Sequence, residues 1–280
     1  MRKFTSASAL AAMALSCALA VSPAASAGHA PVLRSLSHLQ PGGPIAVAGG
    51  GQQLRGSDLY STQNVVSDNW GGYAALRSGT KFRFIRATFF VPYVNCANTP
   101  SSFSGHWVGL DGLGNSTVEQ DGLLAACNGG VPEYAVWYEM FPDPRVYQNV
   151  AVAPGDSTVA TVDYSARSKK FTLSVADTTN GQHFTVTKPC PGGSTCPRTS
   201  VEAISEAPSN GSSILPLTDF GAESYSSVKV TDRAGEHGGL RSSHWDTLSI
   251  TTGNSNGDVL DQPTQIFRGV AFEMYWMRMN

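Results

Sequence analysis

Charge is scarce in this chain of 280 residues, with Asp, Glu, Lys and Arg together making up only 14%, against about a quarter in ordinary soluble domains. A fold with so few charges depends little on ion pairs that acid would break. The formal net charge is −2, and −4 once Arg2 and Lys3 are removed with the N-terminal segment described below; a mildly acidic surface excludes a nucleic-acid partner. After residue 21 no apolar run approaches the roughly 20 residues that a spanning helix needs, so no membrane anchor is expected. There is no Cys-x-x-Cys and no His-Glu-x-x-His, so neither a metal nor a cofactor is expected. A G-x-S-x-G nucleophile elbow is read as absent, and the Asp177-Thr178-Thr179 and Asp219-Phe220-Gly221 stretches lack the contexts that would make them catalytic. His106, His183, His237 and His244 are dispersed, and each is read as a surface or internally satisfied polar residue.

What is present begins with a secretory pattern: Arg2 and Lys3, an apolar run from Ala9 to Val21, then Ala25-Ser26-Ala27 as a small-x-small cleavage site. Residues 1–27 are therefore expected to be a signal peptide, and the remainder to be exported to the extracellular space as a monomer. Residues 28–66 contain Pro41-Gly42-Gly43-Pro44 and Gly49-Gly50-Gly51 with little patterned hydrophobicity, which suits a flexible pro-segment or spacer. Of five cysteines, Cys17 falls in the signal, leaving Cys96, Cys127, Cys190 and Cys196. An even count in an oxidising compartment implies two disulfides. Three pairings are open, and the short Pro191-Gly192-Gly193 loop favours Cys190 with Cys196, leaving Cys96 with Cys127.

From residue 67 to 280 the pattern is short alternating runs broken by Gly, Pro, Asn and Asp. Phe171, Leu173 and Val175 alternate with Thr172, Ser174 and Ala176; Val270, Phe272, Met274 and Trp276 alternate with Ala271, Glu273 and Tyr275. Similar runs lie around residues 82–91, 159–164, 184–186, 228–230 and 248–250, and long segments of helical period are absent. The expected fold is all-β: one single-domain antiparallel two-sheet β-sandwich, concanavalin- or jelly-roll-like, spanning 67–280.

Several segments carry chemistry-bearing residues in a fixed order. They are Ser67-Asp68-Asn69-Trp70-Gly71-Gly72-Tyr73, Trp107-Val108-Gly109-Leu110-Asp111-Gly112, Glu119-Gln120-Asp121-Gly122, Ala135-Val136-Trp137-Tyr138-Glu139-Met140-Phe141-Pro142-Asp143, Pro154-Gly155-Asp156, Val201-Glu202-Ala203-Ile204-Ser205-Glu206-Ala207-Pro208 and Thr218-Asp219-Phe220-Gly221. As a set in register they resemble the glutamic peptidase (eqolisin) family, as a secreted member of a bacterial type. The resemblance implies a curled sandwich with its cleft on the concave face, and acid endopeptidase activity on protein or peptide substrates. It places the catalytic pair at Gln120 and Glu206, not Glu202, and lines the substrate site with Trp70, Trp107, Asp111, Trp137 and Glu139. Asp121, Ala203 and Phe141 depart from the family's usual Thr, Trp and Tyr. Asp121 is expected to bring a second carboxylate near the site, and the other two to bear on substrate preference.

Strand alternation agrees with this, since Glu202, Ile204 and Glu206 share one face and Trp137, Glu139 and Phe141 another. An ionised carboxylate can take a proton from water and return it to a leaving amine, while an amide N–H can meet a developing oxyanion at any pH. Two other readings fit the same residues. One is a carbohydrate-binding or glycan-hydrolysing sandwich, with the tryptophans stacking on sugars and Glu139 and Glu206 as paired carboxylates. The other is an inactive secreted binding protein of the same fold.

Overall fold

The computed structural model describes residues 43–45 and 64–280. The expected signal peptide and nearly all of the 28–66 stretch lie outside the described residues. Sixteen strands follow in chain order: β1 (Asn64–Ser67), β2 (Trp70–Leu76), β3 (Phe82–Phe90), β4 (Ser101–Leu110), β5 (Val118–Asn128), β6 (Val131–Phe141), β7 (Val146–Gln148), β8 (Ser157–Ser165), β9 (Lys170–Asp177), β10 (His183–Pro189), β11 (Ser200–Glu206), β12 (Ala222–Asp232), β13 (His237–Gly238), β14 (Asp246–Gly253), β15 (Val259–Pro263) and β16 (Phe272–Trp276). There is no helix among the described residues.

The strands form one continuous ribbon in the order β10-β9-β8-β3-β12-β16-β15-β14-β2-β11-β4-β5-β6-β7, and the ribbon doubles over itself. The first six make one layer and the last eight the other, joined through the β15–β16 pair. Pairing is antiparallel along that path; the exception is β1, which lies parallel to β14 from Asn64 opposite Ser249 to Ser67 opposite Thr252. The sandwich thus begins by Asn64, three residues ahead of the boundary expected from sequence.

The layers differ in a way that explains their sequences. In β8 and β9 the buried positions alternate with partly exposed ones, so Ala160, Val162, Phe171, Leu173 and Val175 face inward while Thr172 and Ser174 meet solvent. In β2, β4, β5 and β11 both faces are buried. One face, with Tyr73, Val108, Leu110, Leu123, Val201 and Ala203, closes against the other layer in the main core. The opposite, concave face forms a second apolar cluster that includes Trp70, Trp107, Val118, Trp137 and Ile204. Two disulfides pin the loops, Cys96 to Cys127 and Cys190 to Cys196, with Cα separations of 5.3 and 5.9 Å.

One sequence signal resolves differently in three dimensions. Gly253-Asn254-Ser255-Asn256-Gly257 does spell G-x-S-x-G, contrary to the reading that the string is absent. It forms the turn between β14 and β15 with Ser255 exposed, and no helix follows it, so it is not a nucleophile elbow. His106 is fully buried against Ser104 Oγ at 3.1 Å and edge-on to Phe220, and burial drives its pKa down to about 3, so it is a neutral core residue.

Buried carboxyl groups are the chemical peculiarity of this core. Burial pushes Glu119, Asp121, Glu202 and Glu223 well above the usual carboxylate range, and Asp111 and Asp261 up to about 6. The ion pairs among the described residues, Arg83–Asp163, His244–Glu236 and Arg278–Asp258, are partly exposed and lie elsewhere. Each raised carboxyl binds its proton more tightly folded than unfolded. Its contribution is therefore fully present below the unfolded value near 4 and is lost as pH rises through the folded value. Thermal unfolding followed across pH should show the highest midpoint in acid and a fall beginning between about pH 4 and 6. Asp121→Asn, which cannot ionise, should match the wild type in acid and unfold at a higher temperature near neutrality.

Candidate active site

The concave face is assembled by register. Glu206 on β11 stands opposite Trp70 on β2 and opposite Gly105 on β4. Gln120 on β5 stands opposite Gly109 on β4 and opposite Glu139 on β6. Trp107 lies between those two glycines, two residues from each and on the same face. A Cβ on Gly105 would lie 3.5 Å from Trp107 Cδ1, and one on Gly109 would lie 2.9 Å from Trp107 Cζ3 and 3.2 Å from the Gln120 Cβ. The indole therefore runs lengthwise along β4, its five-membered ring toward Glu206 and its six-membered ring beside Gln120. A Cβ at 109 would crowd the ring, whereas one at 105 would make ordinary contact with it.

Two hydrogen bonds fix the polar groups. Trp107 Nε1–H donates to Glu206 Oε2 at 2.8 Å, and Gln120 Nε2–H donates to Glu139 Oε2 at 2.8 Å. Gln120 and Glu206 are buried, as is Glu139. Burial pushes the Glu139 carboxyl well above its ordinary range; the Arg145 charge opposes this, the neighbouring Glu206 charge adds to it, and the Gln120 hydrogen bond opposes it.

The aromatic walls are equally constrained. Trp70 meets Trp107 edge-on, with centroids 5.0 Å apart and planes at 77°. Gly112 has φ of +97°, and a Cβ there would sit 2.7 Å from Trp70 Cη2, so both backbone and space call for glycine. Ser67 explains the start of the first motif, its Oγ accepting the Trp70 N–H at 3.0 Å. Asp111 has φ of +71° at the end of β4, and its carboxylate accepts the backbone N–H groups of Arg198 and Thr199 at 2.7 and 2.8 Å. It ties the β4–β5 turn to the segment before β11, away from the Glu206 and Gln120 hydrogen bonds.

The departures from the family pattern separate by face. Asp121 neighbours Gln120 in sequence but points between the layers toward the backbone of Ser174 and Thr161, which corrects the expectation of a second carboxylate near the site. Ala203 also faces the main core, so the Trp-to-Ala change does not touch the cleft. Phe141 alone borders the concave cluster. Glu202, in the same register row as Gln120, is buried beside Ser200 and Asp111.

Two residues escaped the sequence reading. Arg145 places its guanidinium carbon 5.3 Å from the centroid of Trp137 and 5.1 Å from that of Tyr147. It lies in a Pro-Asp-Pro-Arg turn, two residues past the Asp143 that ends the Trp137–Glu139 segment. Ile45 was also missed. Its N–H donates to the Gly112 carbonyl at 3.2 Å, its side chain is 3% exposed within the concave cluster, and Gly43 approaches Phe141. The glycine-rich composition around it concealed a docked contact.

Residues 68–264 match the sequence profile of the Peptidase A4 family. Aspergillopepsin-2 of Aspergillus niger is 27% identical over 192 residues, covering 61% of this chain and 67% of that protein. The fold is similar to scytalido-glutamic peptidase with a transition state analog inhibitor, at TM-score 0.64 and 23% identity over 75% of this chain and 98% of that one. It is also similar to aspergilloglutamic peptidase from Aspergillus niger, at TM-score 0.56 and 23% identity over 63% of this chain and 99% of that one. With a family match across most of the described sandwich, the chain belongs to the Peptidase A4 (eqolisin) family and is a glutamic-type endopeptidase.

Proposed function

We propose that the protein is an exported acid endopeptidase in which Glu206 is the general base and Gln120 the oxyanion donor. The observation that carries this reading is the Trp107 indole, which spans from Glu206 to Gln120 and orients the carboxylate through its N–H. With Oε2 held by that bond, Oε1 of an ionised Glu206 takes a proton from water as the water oxygen attacks the peptide carbonyl carbon. The carbonyl oxygen becomes negative and accepts an N–H from Gln120. An amide nitrogen carries two N–H bonds; Glu139 takes one and thereby aims the other. The protonated Glu206 then delivers its proton to the amine nitrogen as the C–N bond breaks.

Trp70, Trp137 and Phe141 form apolar walls for an extended peptide, and Asp111 acts indirectly by bracing the turn that carries Gly112. A solved relative, SCP-B of the eqolisin family, was captured with the tripeptide Ala-Ile-His, which supports a peptide-sized cleft here. Export is supported by the signal pattern and the two disulfides. Work in acid is supported by the buried carboxyls, which favour the folded state at low pH.

Glu206→Gln keeps the volume and loses the proton acceptor. It should lower kcat by about 10²–10⁴ on a quenched-fluorescence peptide, while Glu202→Gln should retain most activity; equal losses would reject Glu206 as the base. Gln120→Glu should cost about 10²–10³ in kcat with little change in KM, because the donor acts mainly in the transition state.

In this reading the stretch ahead of β1 is a pro-segment, and Gly43–Ile45 within it rests against the concave face. Burial of one isoleucine stabilises such docking by roughly 2 kcal/mol. Ile45→Asp in the exported chain should then raise the initial rate on the order of tenfold, with an unchanged melting temperature for the sandwich.

A further inference from the structure

Arg145 is a cation placed where a carboxylate-based hydrolase has most use for one. It lies in the β6–β7 turn, its side chain half-buried and its guanidinium against the rings of Trp137 and Tyr147. Trp137 and Glu139 are two apart on one face of β6, and Trp137 pairs with Tyr147 on β7. The guanidinium therefore stands on the concave face beside Glu139, at the edge where β7 ends the ribbon. Two aromatic faces hold the guanidinium in place, and both Glu139 and Glu206 lie within its electrostatic reach.

The other titratable groups around the pair do not provide this charge. Glu202, on the same strand as Glu206, sits beside Asp111 and Glu119. Asp68, ahead of β2, is another acid. His106 on β4 is neutral and faces Phe220. Tyr147 is held protonated, burial pushing it up to about 12. Among the described groups acting on Glu139, Arg145 is the positive one.

We infer that Arg145 is a positioning residue of the hydrolytic centre, its stacked guanidinium keeping one negative charge on the Glu139–Glu206 pair in acid so that Glu206 can act as base. The inference rests on the peptidase reading. Two buried carboxyls that share a site resist joint ionisation, and a neighbouring cation lowers the pH at which the first of them gives up its proton. Arg145 thus sets the acid limb of the pH–rate profile without touching substrate. Lysine at this position keeps the charge and loses most of the stacking geometry, whereas methionine keeps an apolar stem and loses the charge.

The test is kcat/KM against pH for wild type, Arg145→Lys and Arg145→Met on one quenched-fluorescence peptide, with melting temperatures measured alongside. Arg145→Met should move the acid limb up by about one pH unit or more, and Arg145→Lys should return it to the wild-type position whatever its absolute rate. If the methionine variant does not fold, Arg145→Gln makes the same charge comparison. A folded uncharged variant that loses rate with its acid limb unmoved would reduce Arg145 to a packing role and overturn the inference while leaving the peptidase reading intact. Wild-type protein without peptide hydrolysis, or a Glu206→Gln variant as active as wild type, would overturn both.

Discussion

The hydrogen bond from the Trp107 indole to Glu206 is the contact on which the rest of the site depends. Register alone sets Glu206 opposite Gly105 and Gln120 opposite Gly109, a diagonal offset of four residues along β4. Trp107 fills that diagonal because the residue that follows it on the same face, Gly109, is a glycine. Its N–H orients the carboxylate at one end, and its six-membered ring packs beside Gln120 at the other. Trp70 abuts it edge-on, and Gly112 makes room for Trp70. The spacing of the W-x-G-x-D-G motif is thus a steric requirement: the glycine after Trp107 accommodates its ring, and Asp111 secures the turn that follows.

The second constraint is protonation. A site built from Glu139 and Glu206 within a buried concave face, in a core that also holds Glu119, Asp121 and Glu202, suits a medium in which most carboxyls are neutral. Stability and chemistry then make opposed demands, since the fold gains from protonated carboxyls while the base must be ionised. In the proposed mechanism the positive charge of Arg145 reconciles them by acting on Glu139 and Glu206, while Asp121 and Glu202 follow their burial.

The outer layer was legible in the sequence because it has one wet face. Phe171, Leu173 and Val175 alternate with Thr172 and Ser174, and β9 follows them. The inner layer gave no such alternation, because β4, β5 and β11 are buried on both faces; there the motifs, not periodicity, nominated the residues that share the concave face. Motif adjacency misled at Asp121, since neighbours on a strand point to opposite faces. Arg145 and Ile45 were out of reach for other reasons: Ile45 meets Gly112, distant in sequence, while Arg145 contacts the nearby Trp137 and Tyr147 from a turn that carries no periodic pattern. The parallel pairing of β1 with β14 is likewise a long-range event with no signature in four residues.

The family places this chain among peptidases, and the most direct test of the central claim is digestion of denatured casein by the purified exported protein in buffers from strongly acidic to neutral, with the fragments sequenced. One carboxylate and one amide on a buried concave face predict internal cleavage that is fastest in acid and fades toward neutrality. Fragments produced equally well at neutral pH, or release of reducing sugar from glycans with casein left whole, would contradict the account.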